Sequence, residues 1–359
     1  MAGGDSPASK KARTEAAAPG SAAAASPAAL DDDGSTELLC GLRVCAVGLG
    51  TLPAGVAYPA PALRPAGAAL RALVAAAARA AAPAPLLIDT ADVYCEPHTA
   101  VHSLERELAA AASAAAAEAR GPAPALTTKS GMRRISSDST GWRPAPDATT
   151  PAGVRAAIHA ARDALCAPGQ PLLLWSLHHT DGVAAPGALE ACLRAAAACV
   201  AEGTLLHVGL CNATVPMLRR AVAVTPIAAV QNEWSPYQRE AERALPATAA
   251  ASSKKGVLPF CAANGIVFVA YAPLGGLKAR RGERTLARDH PGCAAVAARR
   301  GCSAHAACLA AMLARGRALG ARVVLIPGAR TAAHAADSVA AAKLRLTDAD
   351  VAAIMPPVA

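Results

Sequence analysis

The sequence predicts an α/β protein with one domain, a (β/α)8 barrel of the TIM type, preceded by a disordered tail. Short apolar runs alternate with Ala-rich helical stretches, and eight such pairs fit into about 300 residues, as in a barrel. A doubly wound sheet shows the same alternation, but it usually carries a glycine-rich fingerprint at its first turn. The one candidate for that fingerprint, GLGT at residues 48–51, lacks the third glycine. The barrel is therefore the preferred fold.

Each predicted strand is a short run of Val, Leu and Ile, and each predicted helix is rich in alanine, which has the highest helix propensity. The predicted strands cover residues 44–49, 86–89, 125–128, 172–177, 206–210, 228–231, 266–271 and 322–326. The predicted helices cover residues 66–82, 98–119, 151–166, 185–201, 214–222, 256–263, 294–318 and 331–342.

The first residues have the composition of an unstructured segment. Residues 1–36 are mostly Ala, Gly, Ser and Pro with mixed charges and no apolar periodicity, which predicts a disordered, low-complexity tail. Residues 37–359 then form the barrel domain. The tail contains an acidic run at residues 31–33, whereas transit peptides are poor in acidic residues. We therefore expect a cytoplasmic protein, with a plastid location as the alternative.

Composition argues against several classes of protein. No apolar run reaches the ~18 residues of a membrane span. The eleven cysteines are odd in number and contain no CxxC pair, so we expect free thiols and neither a disulfide framework nor a metal site. The net charge is +9, but aromatic residues are only 3% of the chain, and no nucleic-acid-binding motif is present. We expect neither a membrane nor a nucleic-acid partner.

Polar residues follow three successive strand-like runs. Asp89 and Tyr94 lie in LLIDTADVY, Lys129 lies in ALTTKSG, and His178 lies in LLLWSLHHTD. In a parallel barrel, catalytic side chains lie just past the carboxyl ends of strands. Taken singly, each residue has a structural alternative: a helix cap, a packing residue, a surface lysine or a buried histidine.

Together these four residue types form a proton-donating site. A tyrosine hydroxyl, with an ordinary pKa of ~10, is a poor acid at neutral pH unless its anion is stabilised. A nearby lysine ammonium stabilises that anion, and an aspartate holds the lysine charged and oriented. A histidine donates a hydrogen bond to the carbonyl oxygen or takes part in proton transfer. The set predicts Tyr94 as the acid, tuned by Asp89, Lys129 and His178.

The order and flanking residues of this set resemble the aldo-keto reductase family. The resemblance extends over about residues 41–345. It implies a TIM barrel that reduces aldehyde, ketone or sugar carbonyls with NAD(P)H, and a monomer as the default state. The motifs that carry it are DTADVY at 89–94, TKSG at 128–131, LHHTD at 177–181, VGLCN at 208–212 and IPGAR at 326–330.

The resemblance also implies the cofactor contacts. Asn212 and Gln231 would hydrogen-bond the nicotinamide carboxamide, and Tyr271 would stack on its ring. Arg330 would bind a 2′-phosphate with two parallel hydrogen bonds, so we expect NADPH, with NADH as the alternative. The implied cofactor-binding residues are Cys211, Asn212, Gln231, Tyr271, Pro273, Leu274, Gly275, Gly328, Ala329, Arg330, His334, Asp337 and Ser338.

Three positions depart from the family pattern. Cys95 replaces the usual glycine after the tyrosine, and Cys211 replaces a serine, although a thiol is a weak hydrogen-bond donor. Asp337 and Ser338 replace the Glu-Asn pair that reads the adenine. These changes affect cofactor affinity more than proton transfer. They keep open an alternative function, a cofactor-binding regulatory subunit of the same fold with little turnover.

The sequence does not identify the substrate. Long loops at the catalytic face commonly shape substrate access, and arginines after the seventh strand would fold over the pyrophosphate or lie exposed. The predicted pocket loops are 132–150, 236–256 and 344–359. The candidate wall residues are Trp142, Trp234 and Tyr237, each of which could equally be a packing residue. The arginines after the seventh strand are Arg280, Arg281 and Arg284.

Overall fold

A computed structural model describes residues 35–56, 64–95, 102–119, 121–135, 141–183, 187–246, 250 and 252–358. Residues 1–34 of the predicted tail lie outside this part of the chain, and Thr36 begins the first strand. The strands are β1 (Thr36–Leu39), β2 (Leu42–Cys45), β3 (Leu49–Gly50), β4 (Leu87–Asp89), β5 (Ala125–Ser130), β6 (Met132–Arg134), β7 (Trp142–Pro144), β8 (Leu172–Leu177), β9 (Leu205–Cys211), β10 (Ile227–Glu233), β11 (Val267–Tyr271) and β12 (Val323–Ile326).

Eight of these strands form one parallel sheet in the order β3-β4-β5-β8-β9-β10-β11-β12. Parallel bridges join Val47 to Leu325 and Gly50 to Gly328, and so bring the first strand of the sheet beside the last. The predicted (β/α)8 barrel is confirmed. Gly50 makes this closure close-packed, since a β-carbon there would lie 2.6 Å from the carbonyl oxygen of Ile326.

The helices surround this sheet. They are α1 (Leu52–Gly55), α2 (Gly67–Ala81), α3 (Ser103–Ala119), α4 (Pro151–Leu165), α5 (Ala188–Ala201), α6 (Val215–Val222), α7 (Val257–Ala263), α8 (Gly276–Arg280), α9 (Leu286–Asp289), α10 (Pro291–Arg300), α11 (Ala304–Ala318), α12 (Ala332–Ala340) and α13 (Asp348–Ile354). In the described ranges, no helix combines the length and apolar character needed to cross a bilayer.

Side chains alternate between the two faces of each strand and so form two apolar layers. In β12, Val324 points into the barrel interior, whereas Val323 and Leu325 pack towards the helices. The interior layer contains Leu39, Val44, Leu87, Ala125, Leu174, Ala229, Val267, Val269, Val324 and Ile326. The outer layer is the larger and is rich in alanine, because small side chains let helices lie close to the sheet.

A β-hairpin of β1 and β2 covers the amino-terminal end of the barrel. Its side chains Leu39 and Val44 join the interior layer, and the amide of Cys45 donates to the carbonyl oxygen of Pro85, just before β4, at 3.0 Å. The predicted strand 44–49 was therefore wrong in extent: its first half belongs to this hairpin. Only Leu49–Gly50 is the barrel strand.

The predicted helix 294–318 is two helices. Gly301 takes a left-handed conformation (φ 64°) at the end of α10, and Ser303 caps α11 by accepting from the amide of Ala306 at 2.9 Å. Two further differences lie at helix starts: α3 begins at Ser103 and α5 at Ala188, and the predicted residues before each fall partly outside the described ranges. The segment after residue 344 also contains an unpredicted helix, α13, which starts with a capping box of Thr347 and Asp350.

Candidate active site

A large cavity opens at the carboxyl-terminal end of the barrel. Its volume is about 990 Å³, near the top of the ~300–1,000 Å³ range of small-molecule sites. Seven of the eight strands of the parallel sheet supply lining residues, from Gly50 at β3 to Ile326 at β12, and the eighth, β8, contributes through His178 and His179 just past its end. The four residues predicted as catalytic, Asp89, Tyr94, Lys129 and His178, all line it. The topology thus brings together side chains that lie 89 positions apart at most in sequence.

An ion pair between Lys129 and Asp89 lies at the base of this cavity. The lysine Nζ donates to Asp89 Oδ1 at 2.5 Å and to the carbonyl oxygen of Thr90 at 2.8 Å, and the lysine side chain is only 2% exposed. Burial lowers the pKa of Lys129, but the charges of Asp89 and then Tyr94 raise it more, so the pKa lies above its ordinary value. Lys129 is therefore a fixed positive charge.

Tyr94 lies directly over this charge. The Lys129 Nζ is 4.9 Å from the centroid of the tyrosine ring. Burial raises the pKa of Tyr94, and the opposing effect of Lys129 is smaller than the combined effect of burial and Asp89. The hydroxyl therefore keeps its proton at neutral pH, and the lysine is placed to stabilise the tyrosine anion once that proton leaves.

His178 packs against the ring of Tyr94. The two rings are edge-to-face, with centroids 5.9 Å apart at 76°. Burial and then the charge of Lys129 lower the pKa of His178 well below its ordinary value, so the imidazole is neutral. Its Nδ1 is buried and has no hydrogen-bond partner among the described residues. A neutral imidazole offers one donor and one acceptor, which suits a hydrogen bond to a carbonyl oxygen.

Asn212 connects the strand ends around the site. Its amide Nδ2 donates to the carbonyl oxygen of His178 at 3.1 Å, and its Oδ1 accepts from the Tyr271 hydroxyl at 2.8 Å. Gln231, predicted with Asn212 to bind the nicotinamide carboxamide, donates through Nε2 to Asp89 Oδ2 at 2.8 Å. Gln231 thus also supports the ion pair, a contact that sequence reasoning missed.

The far end of the cavity is lined by residues after β12 and on α12. Arg330 has a buried Nη2 that lacks a hydrogen-bond partner within the described ranges, and an unpaired guanidinium suits an anionic group such as a phosphate. Asp337 accepts from the Ser303 hydroxyl at 2.6 Å. The predicted cofactor residues that line the cavity are Cys211, Asn212, Gln231, Tyr271, Pro273, Leu274, Gly275, Gly328, Arg330, His334, Asp337 and Ser338. Ala329 is not in the lining and packs in the core.

Comparison with known proteins identifies the family. The model of the Aldo/keto reductase family matches residues 46–355. The chain belongs to the aldo/keto reductase family.

Individual relatives are more distant. The curated protein "Aldo-keto reductase yakc [NADP(+)]" of Schizosaccharomyces pombe is 38% identical over 87 residues, which is 24% of this chain and only 23% of the relative. The aldo-keto reductase of Klebsiella pneumoniae in complex with NADPH has a TM-score of 0.64 at 20% identity, covering 90% of this chain and 96% of that chain. The Bombyx mori aldo-keto reductase in complex with NADP has a TM-score of 0.63 at 20% identity, with coverages of 89% and 91%. At these identities the likeness shows the fold.

The three residues predicted as candidate walls of the pocket lie in different places. Trp142 lines the cavity, with its ring centroid 6.1 Å from that of Tyr94. Trp234 is fully buried and packs on Phe268 in the core, so its prediction as a wall was wrong. Tyr237 lies outside the lining and donates to Asp289 at 3.2 Å.

Two of the three predicted pocket loops contribute residues to the cavity. Met132 and Trp142 contribute to the cavity from 132–150, and Gln238 contributes from 236–256. Residues 344–358 do not line it, and this prediction was wrong: Asp350 of α13 instead accepts hydrogen bonds from Arg299 and Arg300 on α10.

Of the predicted loop arginines whose side chains are described, one reaches the cavity. Arg284 lines it, and its Cζ lies 4.8 Å from the Tyr237 ring centroid. Arg281 donates to Glu283 at 3.4 Å, and the side chain of Arg280 lies outside the described part. Sequence reasoning missed Glu233, an acidic lining residue at the end of β10 whose pKa is raised by burial. Its position at a strand end was the available signal.

A group of potential metal ligands lies outside the cavity. His159 on α4 and Cys199 with Glu202 at the end of α5 place their ligand atoms within 4.8 Å of one another. The guanidinium of Arg155 donates to both oxygens of Glu202, at 2.8 and 3.0 Å. The positive charge beside the Glu202 carboxylate is therefore that of Arg155.

Proposed function

We propose that the protein reduces aldehyde or ketone carbonyls, including those of sugars, to alcohols, with NADPH as the cofactor and Tyr94 as the proton donor. One observation carries this proposal. The buried Lys129–Asp89 ion pair lies beneath Tyr94, at the base of a cavity that also contains the residues expected to hold the cofactor. When bound, NADPH supplies the hydride.

The chain's own residues handle the proton. His178, neutral because of burial and Lys129, would donate a hydrogen bond to the substrate carbonyl oxygen and orient it towards Tyr94. The Tyr94 hydroxyl would then transfer its proton to that oxygen. Lys129 lowers the energy of the tyrosine anion by electrostatic attraction, and Asp89 with Gln231 keeps the lysine in place. In the opposite direction, Tyr94 would accept the proton of an alcohol.

The residues of the cavity fit a phosphorylated cofactor. Arg330 lines the cavity together with His334, and its Nη2 has no hydrogen-bond partner among the described residues; a guanidinium favours a phosphate over a ribose hydroxyl. The names of related proteins support the same choice, since the yeast relative carries NADP(+) in its name and two solved neighbours contain NADPH or NADP. NADH is the alternative cofactor.

A second candidate function rests on Cys211. Burial raises the pKa of this thiol to about 12, and a thiol is a weak donor to a bound carboxamide. A protein that holds the cofactor without efficient turnover would act as a cofactor-binding regulatory subunit. Cofactor binding without carbonyl reduction separates this candidate from the first.

The test is NADPH oxidation with a panel of aldehydes, ketones and sugars. We expect Tyr94→Phe to lower turnover by ~10²–10⁴-fold, the usual contribution of a general acid, with NADPH binding unchanged. Tyr237→Phe is the matched control, since Tyr237 is outside the cavity lining. Full turnover in Tyr94→Phe would exclude Tyr94 as the proton donor. Binding of NADPH with no carbonyl reduced by the wild-type protein would favour the regulatory function.

A further inference from the structure

We propose that Lys254 is a positioning residue for the nicotinamide end of the cofactor. Its ammonium group binds the backbone carbonyl of Asn212 and thereby fixes the direction of the Asn212 amide side chain. The inference rests on the proposed function, because Asn212 is expected to bind the carboxamide. Lys254 is not among the residues that line the cavity, so it acts through Asn212.

Asn212 has a backbone conformation that needs support. Its φ is 57°, in the left-handed region that non-glycine residues rarely occupy, although asparagine tolerates it better than most. Such a conformation persists where surrounding contacts hold it. The direction of the Asn212 side chain depends on this backbone, and the side chain touches His178 and Tyr271, both in the cavity.

The peptide groups of Asn212 are held from three directions. Its amide donates to the carbonyl oxygen of Gln231 at 2.9 Å. Its carbonyl oxygen accepts from the Thr180 hydroxyl at 3.0 Å and from the Lys254 ammonium. The bond from Lys254 is the charged one, and charge-assisted hydrogen bonds are about twice as strong as neutral ones. On this ground we expect Lys254 to hold this carbonyl more firmly than Thr180 does.

The backbone around Lys254 is anchored independently of the cavity. The amide of Lys254 donates to Glu240 Oε1 at 3.1 Å, and the Ser253 hydroxyl donates to the same oxygen at 2.9 Å. Two residues further on, the amide of Gly256 donates to the carbonyl oxygen of Arg243 at 2.8 Å. Residues 252–256 thus present Lys254 from a fixed base. These residues thus contact the site through Lys254 and Asn212, separately from Gln238, which lines the cavity.

The experiment compares Lys254→Met and Lys254→Arg with Lys255→Met, which changes the adjacent lysine. Two probes are titrated by fluorescence quenching: NADPH, and 2′,5′-ADP, which has the adenosine end and no nicotinamide. We expect Lys254→Met to weaken NADPH binding by ~10-fold, as for the loss of one charged hydrogen bond, with 2′,5′-ADP binding unchanged. Lys254→Arg restores most of the affinity, and Lys255→Met behaves as wild type.

The outcomes separate this inference from the proposed function. An unchanged NADPH affinity in Lys254→Met would overturn the inference, and so would an equal loss of affinity for NADPH and 2′,5′-ADP, which indicates a general structural role. A wild-type protein that binds 2′,5′-ADP but gains nothing from the nicotinamide would also overturn it. Failure of the wild-type protein to bind either probe would instead overturn the proposed function.

Discussion

Gly55 lies against the backbone of Tyr94 so closely that a β-carbon at Gly55 would be 2.3 Å from the tyrosine carbonyl oxygen and 2.5 Å from its Cβ. Gly55 is the last residue of α1, the short helix that follows β3. The position of Tyr94, the proposed proton donor, is therefore set partly by a residue 39 places earlier in the chain. Only a residue without a side chain fits at this contact.

We expect Gly55→Ala to lower kcat by displacing Tyr94 from Lys129 and to lower the free energy of unfolding by ~1–3 kcal/mol, as overpacking typically does. Steady-state kinetics and thermal denaturation measure the two effects. Gly121→Ala is the control, because a β-carbon at Gly121 would have its nearest contact at 3.9 Å. Wild-type kcat in Gly55→Ala would show that Tyr94 tolerates displacement.

Removal of Lys129 should impair both activity and stability. Lys129→Met leaves the Asp89 carboxylate buried with Gln231 as its remaining side-chain partner, and an uncompensated buried charge typically costs ~3–5 kcal/mol. Turnover should fall because the tyrosine anion loses its stabilising charge. In the double variant Asp89→Asn/Lys129→Met the free energy of unfolding should recover while activity stays low. Recovery of both would indicate that Lys129 has only a structural role.

Arg330→Ala should change cofactor preference more than turnover. The loss of a charged hydrogen-bonding group typically costs ~1.5–3 kcal/mol, so KM for NADPH should rise by about tenfold or more, while KM for NADH stays close to its wild-type value. Arg71→Ala, which removes an exposed arginine on α2, is the control. An unchanged ratio of NADPH to NADH efficiency would assign the 2′-phosphate to another residue.

A buried acidic cluster behind Lys129 should make stability depend on pH. The amide of Asp92 donates to the carbonyl oxygen of Lys129 at 3.2 Å, and Glu105 accepts from Thr128 at 2.5 Å and pairs with His102. Burial and then the charge of Glu105 raise the pKa of Asp92 to about 7. Burial lowers the pKa of His102, but the hydrogen bond and charge of Glu105 raise it more, so it lies above its ordinary value.

Both shifts act in the same direction. The folded protein binds more protons than the unfolded chain, so stability falls as pH rises, from about 4 to about 7 for Asp92 and across the range just above 6.5 for His102. We expect Asp92→Asn to reduce this fall by at most ~4 kcal/mol, measured by urea denaturation at a series of pH values. The exposed Asp147→Asn should keep the wild-type slope. A wild-type slope in Asp92→Asn would exclude Asp92 as its source.

Most strands and helices of the barrel could be predicted from the sequence, because apolar runs and helix-capping signals are local patterns. The predicted strand 172–177 coincides with β8, and the polar residues at successive strand ends converge in one cavity, as parallel topology requires. The roles assigned to those residues remain predictions. The break in helix 294–318 also had a local signal, since Gly301 and Ser303 are typical C-terminal and N-terminal capping residues.

Features that depend on contacts between distant residues could not be predicted. Glu233 and Trp234 are neighbours, yet one lines the cavity and the other is in the core, because successive side chains point to opposite faces and the register is a property of the whole sheet. The contact between Gly55 and Tyr94 and the bond from Lys254 to Asn212 likewise join segments with no local signal for each other.

The hairpin at the amino-terminal end has a consequence for biosynthesis. Leu39 and Val44 precede the barrel strands in the chain, but the interior layer that they join includes Val267 of β11 and Val324 of β12, which follow much later. The interior layer around these apolar side chains therefore stays incomplete until nearly the whole barrel has left the ribosome. Contacts of this sequence separation form slowly, and exposed apolar surface promotes aggregation meanwhile. We expect the hairpin amides to be among the last to gain protection from hydrogen exchange during refolding.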